Sequence, residues 1–371
     1  MDPSGAGSPA RWLLLRAALI GVLSCGEARA PSTHSAPTRQ VAAWVLGDDV
    51  SVESMRQNLD ALTVVSPTFY KVAVVGKTTR LVPWEATPTP RARFQALASG
   101  KRVSVLPMVG CVEQCAENLS AILDDERARA AHVAALLAAA EADGLDGLFI
   151  DYEEIRCSTD GFSRFIDALA GALHGRGKKL GIAVAEPCGI APDCEREPYP
   201  FALNHLAATA DVLAVMEYDF IVDGSGPIAP SDWLVRGLRR LQRDIESRNM
   251  PKVFVGIPLY GRVSRDVTTS DNAVLWADVT RRIAGAPLLS EPLRFDAGGL
   301  AKVARVSNAK SGREGKIFLE DHDTLTARLE ILEREGFANI ALWRLGGEDP
   351  CVWPVIRAWR RNASPRASRC E

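Results

Sequence analysis

Histidine is scarce in this chain of 371 residues, and the five that occur (His34, His132, His174, His205 and His322) form no pair at metal-ligand spacing. The eight cysteines lack Cys-x-x-Cys blocks, so they read as disulfides and not as a zinc site. No metal and no cofactor is implied. A surplus of positive charge is missing too: 44 Lys and Arg stand against 46 Asp and Glu, a formal charge of −2. Nothing is left over to neutralise a phosphate backbone, which excludes nucleic acid as a partner. Beyond the first thirty residues no apolar run is long enough to span a bilayer, so no transmembrane segment is expected in the mature chain. What the chain does have is 47% hydrophobic and 24% charged residues, the composition of a globular body with one large core.

Residues 1–37 read as a leader. Arg11 precedes the apolar run Trp12 to Leu23, and the small residues Ser24, Ala28 and Ala30 follow, the order of an export signal. Cleavage is ambiguous between Ala28-Arg29-Ala30 and Val22-Leu23-Ser24-Cys25, a stretch that resembles a bacterial lipoprotein box and would place a lipid anchor on Cys25. Either route puts the protein outside the cell or in its envelope.

From residue 38 to 361, short β-rich apolar runs alternate with helical patterns. The runs are Val41 to Leu46, Thr68 to Val75, Val103 to Met108, Leu148 to Tyr152, Leu180 to Ala185, Val212 to Met216, Val253 to Ile257 and Ile340 to Trp343. Between them apolar residues recur at three- and four-residue spacing, as in Phe165-Leu169-Leu173, Leu234-Leu238-Leu241 and Leu325-Leu329-Leu332. Repeated strand-then-helix units imply parallel strands with right-handed crossovers, and eight of them suggest an α/β protein closed as a (β/α)₈ TIM barrel. An open doubly wound sheet is the alternative, but no Gly-x-Gly-x-x-Gly follows the first strand to support its dinucleotide-binding form. The long gap before the eighth run predicts a small α+β insertion over 263–320, with a helix around Asn272 to Ala284 and a hairpin from Leu293 to Leu319 turning near Ser311-Gly312. Residues 362–371 read as a flexible tail.

The fourth run carries Asp146-Gly147-Leu148-Phe149-Ile150-Asp151-Tyr152-Glu153-Glu154. Strand alternation turns Phe149, Asp151 and Glu153 to one face, the barrel interior, and Leu148, Ile150 and Tyr152 to the other. Carboxylates at the C-terminal end of a barrel strand stand where barrel enzymes keep their catalytic groups. Desolvation and mutual repulsion should hold one of the pair protonated near neutral pH, ready to act as a general acid. Taken on spacing alone, the pair could equally be two solvated charges ending a strand.

Three further strand ends decide between these readings: Met216-Glu217-Tyr218-Asp219, Pro258-Leu259-Tyr260-Gly261-Arg262 and Trp343-Arg344-Leu345-Gly346. Together with the fourth strand they resemble the family-18 glycoside hydrolases, whose pattern is Asp-Gly-x-Asp-x-Asp-x-Glu, then Met-x-Tyr-Asp, Pro-x-Tyr-Gly-Arg and a closing Trp. Ser66 to Tyr70, Phe318 to Asp321 and Trp343 to Pro350 look most like bacterial cell-wall and spore-cortex N-acetylglucosaminidases. The resemblance implies a monomeric glycosidase acting on an N-acetylglucosamine-containing glycan by substrate assistance, an exception to the two-carboxylate scheme. By the same resemblance Glu153 is the proton donor, Asp151 orients the substrate's acetamido group, and Tyr218 donates to the acetamido oxygen. Asp219 and Met216 line the sugar site, Trp343 forms its floor, Trp44 and Tyr70 are further walls, and Tyr260 and Arg262 stand at the rim. Glu154 and Glu217 alternate outward and read as structural.

One departure from the pattern stands out. Phe149 occupies the place of the family's first inward carboxylate, so Asp151 loses that partner, and an aromatic neighbour should raise its pKa. Weaker activity or a displaced pH optimum is expected. Glu186, ending the fifth run, is either a compensating carboxylate or a surface loop residue. Two other readings stay open: a glycan-binding protein without catalysis, and a two-carboxylate glycosidase using Glu153 with Glu186. Cys111, Cys115, Cys157, Cys188 and Cys194 fall in loops at the barrel mouth, where disulfides would brace the substrate-facing surface. The pairs Cys188 with Cys194 and Cys351 with Cys370 are the best guesses, since spacing does not fix connectivity.

Overall fold

Strands that are apolar on both faces need cover on both sides, and this chain meets that need by closing its sheet on itself inside a ring of helices. The computed structural model describes residues 38–367, apart from 85–90, 101, 112–113, 143–144, 154, 156–157, 190–198, 222–223, 268–271, 281–287 and 309–310. Eight parallel strands form the barrel in chain order: Gln40–Val45, Val64–Val75, Met108–Cys111, Gly147–Tyr152, Lys179–Ala185, Val212–Met216, Val253–Pro258 and Asn339–Trp343. The first strand pairs in parallel with both the second and the eighth, which closes the cylinder and removes the open-sheet alternative. Each strand is followed by a helix, among them Thr159–His174, Ser231–Asp244 and His322–Arg334. The third strand differs from expectation: it is broken into Ser104–Val105 and Met108–Cys111 around Pro107, and the first piece pairs only with the second strand.

Alternation sorts the side chains as the pleat requires. Leu148, Ile150 and Tyr152 pack outward into the main core with Phe162 and Phe165 of the following helix. Ala42, Trp44, Leu106, Met108, Phe149, Ala183, Ala214, Phe254 and Ala341 fill the interior. Small residues on four strands leave room for the large ones, Trp44, Phe149 and Phe254 among them. A Cβ at Gly181 would sit 2.5 Å from the Phe149 ring, so glycine is required on the neighbouring strand for that ring to fit.

Between the seventh and eighth barrel strands lies a separate antiparallel sheet containing Gly261–Val263, Arg294–Asp296, Ala301–Ser307 and Glu314–Leu319. The expected hairpin is present, with Ala301–Ser307 against Glu314–Leu319 and Gly312 at φ +68° in the turn. The expected helix is shorter: Ala273–Val274 is a strand paired to Gly261–Val263, and only Trp276–Thr280 is helical before residues 281–287, outside the described set. The buried Arg328 fastens this insertion to the barrel, with an ion pair to Glu320 at 2.7 Å and hydrogen bonds donated to Ala229 O and Leu300 O at 2.7 and 3.0 Å. At the C-terminal end Pro365 is buried and Arg366 pairs with Glu330 at 2.7 Å.

Candidate active site

The C-terminal ends of the fourth, fifth, sixth and eighth strands meet around a cavity of about 220 Å³, lined by Asp151, Glu153, Ala185, Glu186, Met216, Tyr218, Asp219 and Trp343. Strand register explains the meeting: Gly110 pairs with Asp151, Asp151 with Ala183, and Ala185 with Met216, so these residues stand at one level of the barrel. A larger, open groove of about 580 Å³ lies between the Asp49–Asn58 and Val352–Arg360 helices, and it holds none of the strand-end carboxylates.

Asp151 is 3% exposed, and its Oδ1 has no hydrogen-bond partner among the described residues. Burial pushes its carboxyl up to about 8, and the nearby Glu153 adds to the rise. Phe149, two residues earlier on the same strand, is fully enclosed and packed against Trp44 at a centroid distance of 5.4 Å. Burial therefore acts on Asp151, whereas Glu153 is exposed at the rim of the cavity. The Glu153 backbone N–H donates to Cys111 O at 3.2 Å, and Cys111 is bonded through its sulfur to Cys115. The disulfide thus braces the strand end that carries Glu153.

The sixth strand delivers Met216, Tyr218 and Asp219. Tyr218 is buried, meets Tyr260 edge to face, and points a hydroxyl with no partner among the described residues; burial, then Asp151, holds it well above the ordinary phenol range. Asp219 adopts φ +64°, a left-handed conformation that aspartate tolerates better than most residues. Its carboxylate accepts from the Tyr260 hydroxyl and from Arg262 Nη2 at 2.6 Å, while Arg262 also reaches Asn272 Oδ1 at 3.0 Å. Tyr260 and Arg262 accordingly hold Asp219 in place from outside the cavity. Trp343 is half-buried on the cavity wall, with Trp44 edge-on behind it at 5.6 Å.

Two expected walls are elsewhere. Trp44 is 1% exposed inside the barrel, where it supports Trp343 and Phe149 without lining the cavity. Tyr70 falls in the outer core beside Phe69, because a register shift between Thr68 and Tyr70 turns it out of the barrel. Trp84 packs against the interior cluster and sits over Gly110 so closely that a Cβ there would be 2.4 Å from its ring. Trp84 follows the short strand Thr78–Pro83, and nothing in its local pattern marks it. Of the two readings of Glu186, the structure favours a carboxylate at the site: it lines the cavity, held up to about 7 by burial and, to a lesser degree, by Asp219. Glu217 points away from the cavity as expected, but it is fully buried with neither oxygen partnered among the described residues. A Cβ at Gly237 would lie 2.4 Å from it.

Cys188 and Cys351 are both disulfide-bonded, while Cys25, Cys157, Cys194 and Cys370 lie outside the described residues. His322, Asp349 and Cys351 come within metal-binding range of one another, yet the disulfide removes the Cys351 thiolate and His322 is hydrogen-bonded to Asp349 at 2.7 Å. Among the described residues no helix is long and apolar enough to cross a membrane.

Comparison with known proteins agrees with the geometry. Residues 42–348 match the model of the glycosyl hydrolases family 18. No curated protein matches the chain. Solved structures with the same fold include a chitinase from Chromobacterium violaceum, 23% identical with a TM-score of 0.70, covering 89% of this chain and 100% of that one. The spore cortex-lytic enzyme SleL of Bacillus megaterium is 16% identical at a TM-score of 0.71, covering 86% of this chain and 73% of that one. A mutant GH18 chitinase from Cycas revoluta in complex with (GlcNAc)4 is 17% identical at a TM-score of 0.67, covering 88% and 99%. With its motifs at four strand ends and the family match across the whole barrel, the chain belongs to the glycosyl hydrolases of family 18 and is a glycosidase.

Proposed function

We propose that this glycosidase cleaves β-linked N-acetylglucosamine polymers, of the chitin or peptidoglycan type, by a substrate-assisted retaining mechanism. The observation that carries the reading is a matched pair of orphaned groups in one cavity: an acceptor, Asp151 Oδ1, and a donor, the Tyr218 hydroxyl. An acetamido group presents one N–H and one C=O, which complement them. Held between Asp151 and Tyr218, the acetamido oxygen attacks the anomeric carbon while Glu153, at the open rim, protonates the departing glycosidic oxygen. No protein nucleophile is used. Asp151, in its ionised form, accepts from the acetamido N–H and stabilises the positively charged cyclic intermediate, and Trp343 offers an apolar face to the sugar. Water then opens the intermediate with Glu153 acting as base. Burial raises the cost of ionising Asp151, so activity is expected to be slow below the pH at which Asp151 loses its proton.

The test is digestion of purified peptidoglycan and chitin oligomers, with product masses, beside Glu153→Gln. That substitution should lower kcat by roughly 10²- to 10⁴-fold with binding retained. Binding without product in the unsubstituted protein would favour the non-catalytic reading instead. Export, with cleavage near Ala30 or lipidation at Cys25, belongs to the same proposal. The mass of the mature chain from a bacterial host distinguishes the two, and an unprocessed N-terminus contradicts both.

A further inference from the structure

We propose that Glu186 makes the cleft selective for glycans that carry a free amino group, binding the ammonium of a glucosamine unit next to the N-acetylated sugar. This extends the hydrolase reading above and rests on it. Glu186 is not a carboxylate drifting on a loop. Every residue around it is tied down: Ala185 O accepts from the Tyr199 hydroxyl at 2.5 Å, Pro187 O from Arg240 Nη1 at 3.1 Å, and Gly189 O from Trp233 Nε1 at 2.6 Å. Cys188 is disulfide-bonded, and Gly189, at φ +49°, turns its N–H back onto the Glu186 carboxyl. So much bracing fixes one acidic side chain on the cavity wall.

Its surroundings favour a cationic donor over a neutral one. The described lining contains four carboxyl groups, Asp151, Glu153, Glu186 and Asp219, and no cation. The nearest guanidinium beside Asp219, that of Arg262, lies outside the lining and ion-pairs with Asp219 at 2.6 Å. Independently, Asp151 Oδ1 and the Tyr218 hydroxyl are buried, without a partner among the described residues and in the same cavity, which marks it as built for a polar ligand. Facing Glu186 are Asp219 from the sixth strand, the buried Glu217 beneath, and Tyr199, with Arg240 engaged at Pro187 O and Asp244. Glu186 and Glu217 therefore repel each other's charge. Glu186, held up to about 7, would pass its proton to a bound amine and become the charged half of a salt bridge.

Calorimetric titration in the Glu153→Gln background reads the effect without turnover. The probes are tri-N-acetylglucosamine and the same trisaccharide with one amine uncovered, at near-neutral pH and low salt. The amine-bearing sugar should bind roughly tenfold more tightly, as a charge-assisted hydrogen bond warrants, and adding Glu186→Gln should bring the ratio close to one. Gln keeps a carbonyl oxygen for the Gly189 N–H, so the loop retains its brace. Equal affinities, a preference that survives Glu186→Gln, or no binding of the amine-bearing sugar would each overturn the proposal. Failure of the hydrolase reading shows itself separately, as no turnover of acetylated oligomers by the unsubstituted protein.

Discussion

Asp151 and Phe149 stand two residues apart on one strand, both buried, and burial sets the chemistry of the carboxyl. Folding buries the Asp151 carboxyl beside Glu153, so the folded protein holds its proton up to about pH 8, against an ordinary value of 3.8. The sign of the linkage follows. The folded state binds more protons than the unfolded chain, so stability is greatest below about pH 4 for this group and is lost as pH rises through 8. Each unit of pKa difference is worth up to about 1.4 kcal/mol. Asp151→Asn should accordingly raise the urea midpoint at pH 8.5 and leave it nearly unchanged at pH 4, while abolishing most activity. Equal midpoint gains at both pH values would show that burial does not control this carboxyl. Phe149 itself was legible in the sequence as a departure from the motif. Its steric partner Gly181 was not, because cross-strand registry is invisible to a one-dimensional pattern.

At the scale of elements, the strand that presents Glu153 borrows its rigidity from the third. The Cys111–Cys115 bridge ties the strand end at Cys111, whose carbonyl receives the Glu153 N–H, to the Gln114–Asp124 helix. The double substitution Cys111→Ser with Cys115→Ser should reduce kcat by roughly tenfold or more with a smaller change in KM, since a displaced proton donor harms the transition state most. Unchanged kinetics would mean the strand end is rigid without the bridge. The eight strands and the main helices were readable because parallel strands buried on both faces leave continuous apolar runs. Tyr70 was misplaced for a definite reason: a single register shift in Val64–Val75 exchanges inside for outside, and period-two reasoning cannot see it. Trp84 carried no signal because it follows its strand in a loop, where side-chain direction is set by tertiary contacts such as the close approach of Gly110; the two readings left open for Glu186 are separated by the ties on Pro187 and Gly189, which fix it on the cavity wall.

For the molecule as a whole, the family match, the closed barrel and the clustering of strand-end groups converge on one chemistry at one end of the cylinder. The near-neutral net charge of −2 conceals a strongly acidic cleft, so charge matters here locally and not through the overall field. The account stands or falls on the acetamido group of the substrate serving as nucleophile between Asp151 and Tyr218. Proton NMR of N-acetylglucosamine oligomer hydrolysis, recorded before mutarotation, tests this most directly. The account predicts that the first product released is the β-anomer, with no turnover of fully de-N-acetylated oligomers. First release of the α-anomer, or cleavage of oligomers with no acetyl group, would contradict it.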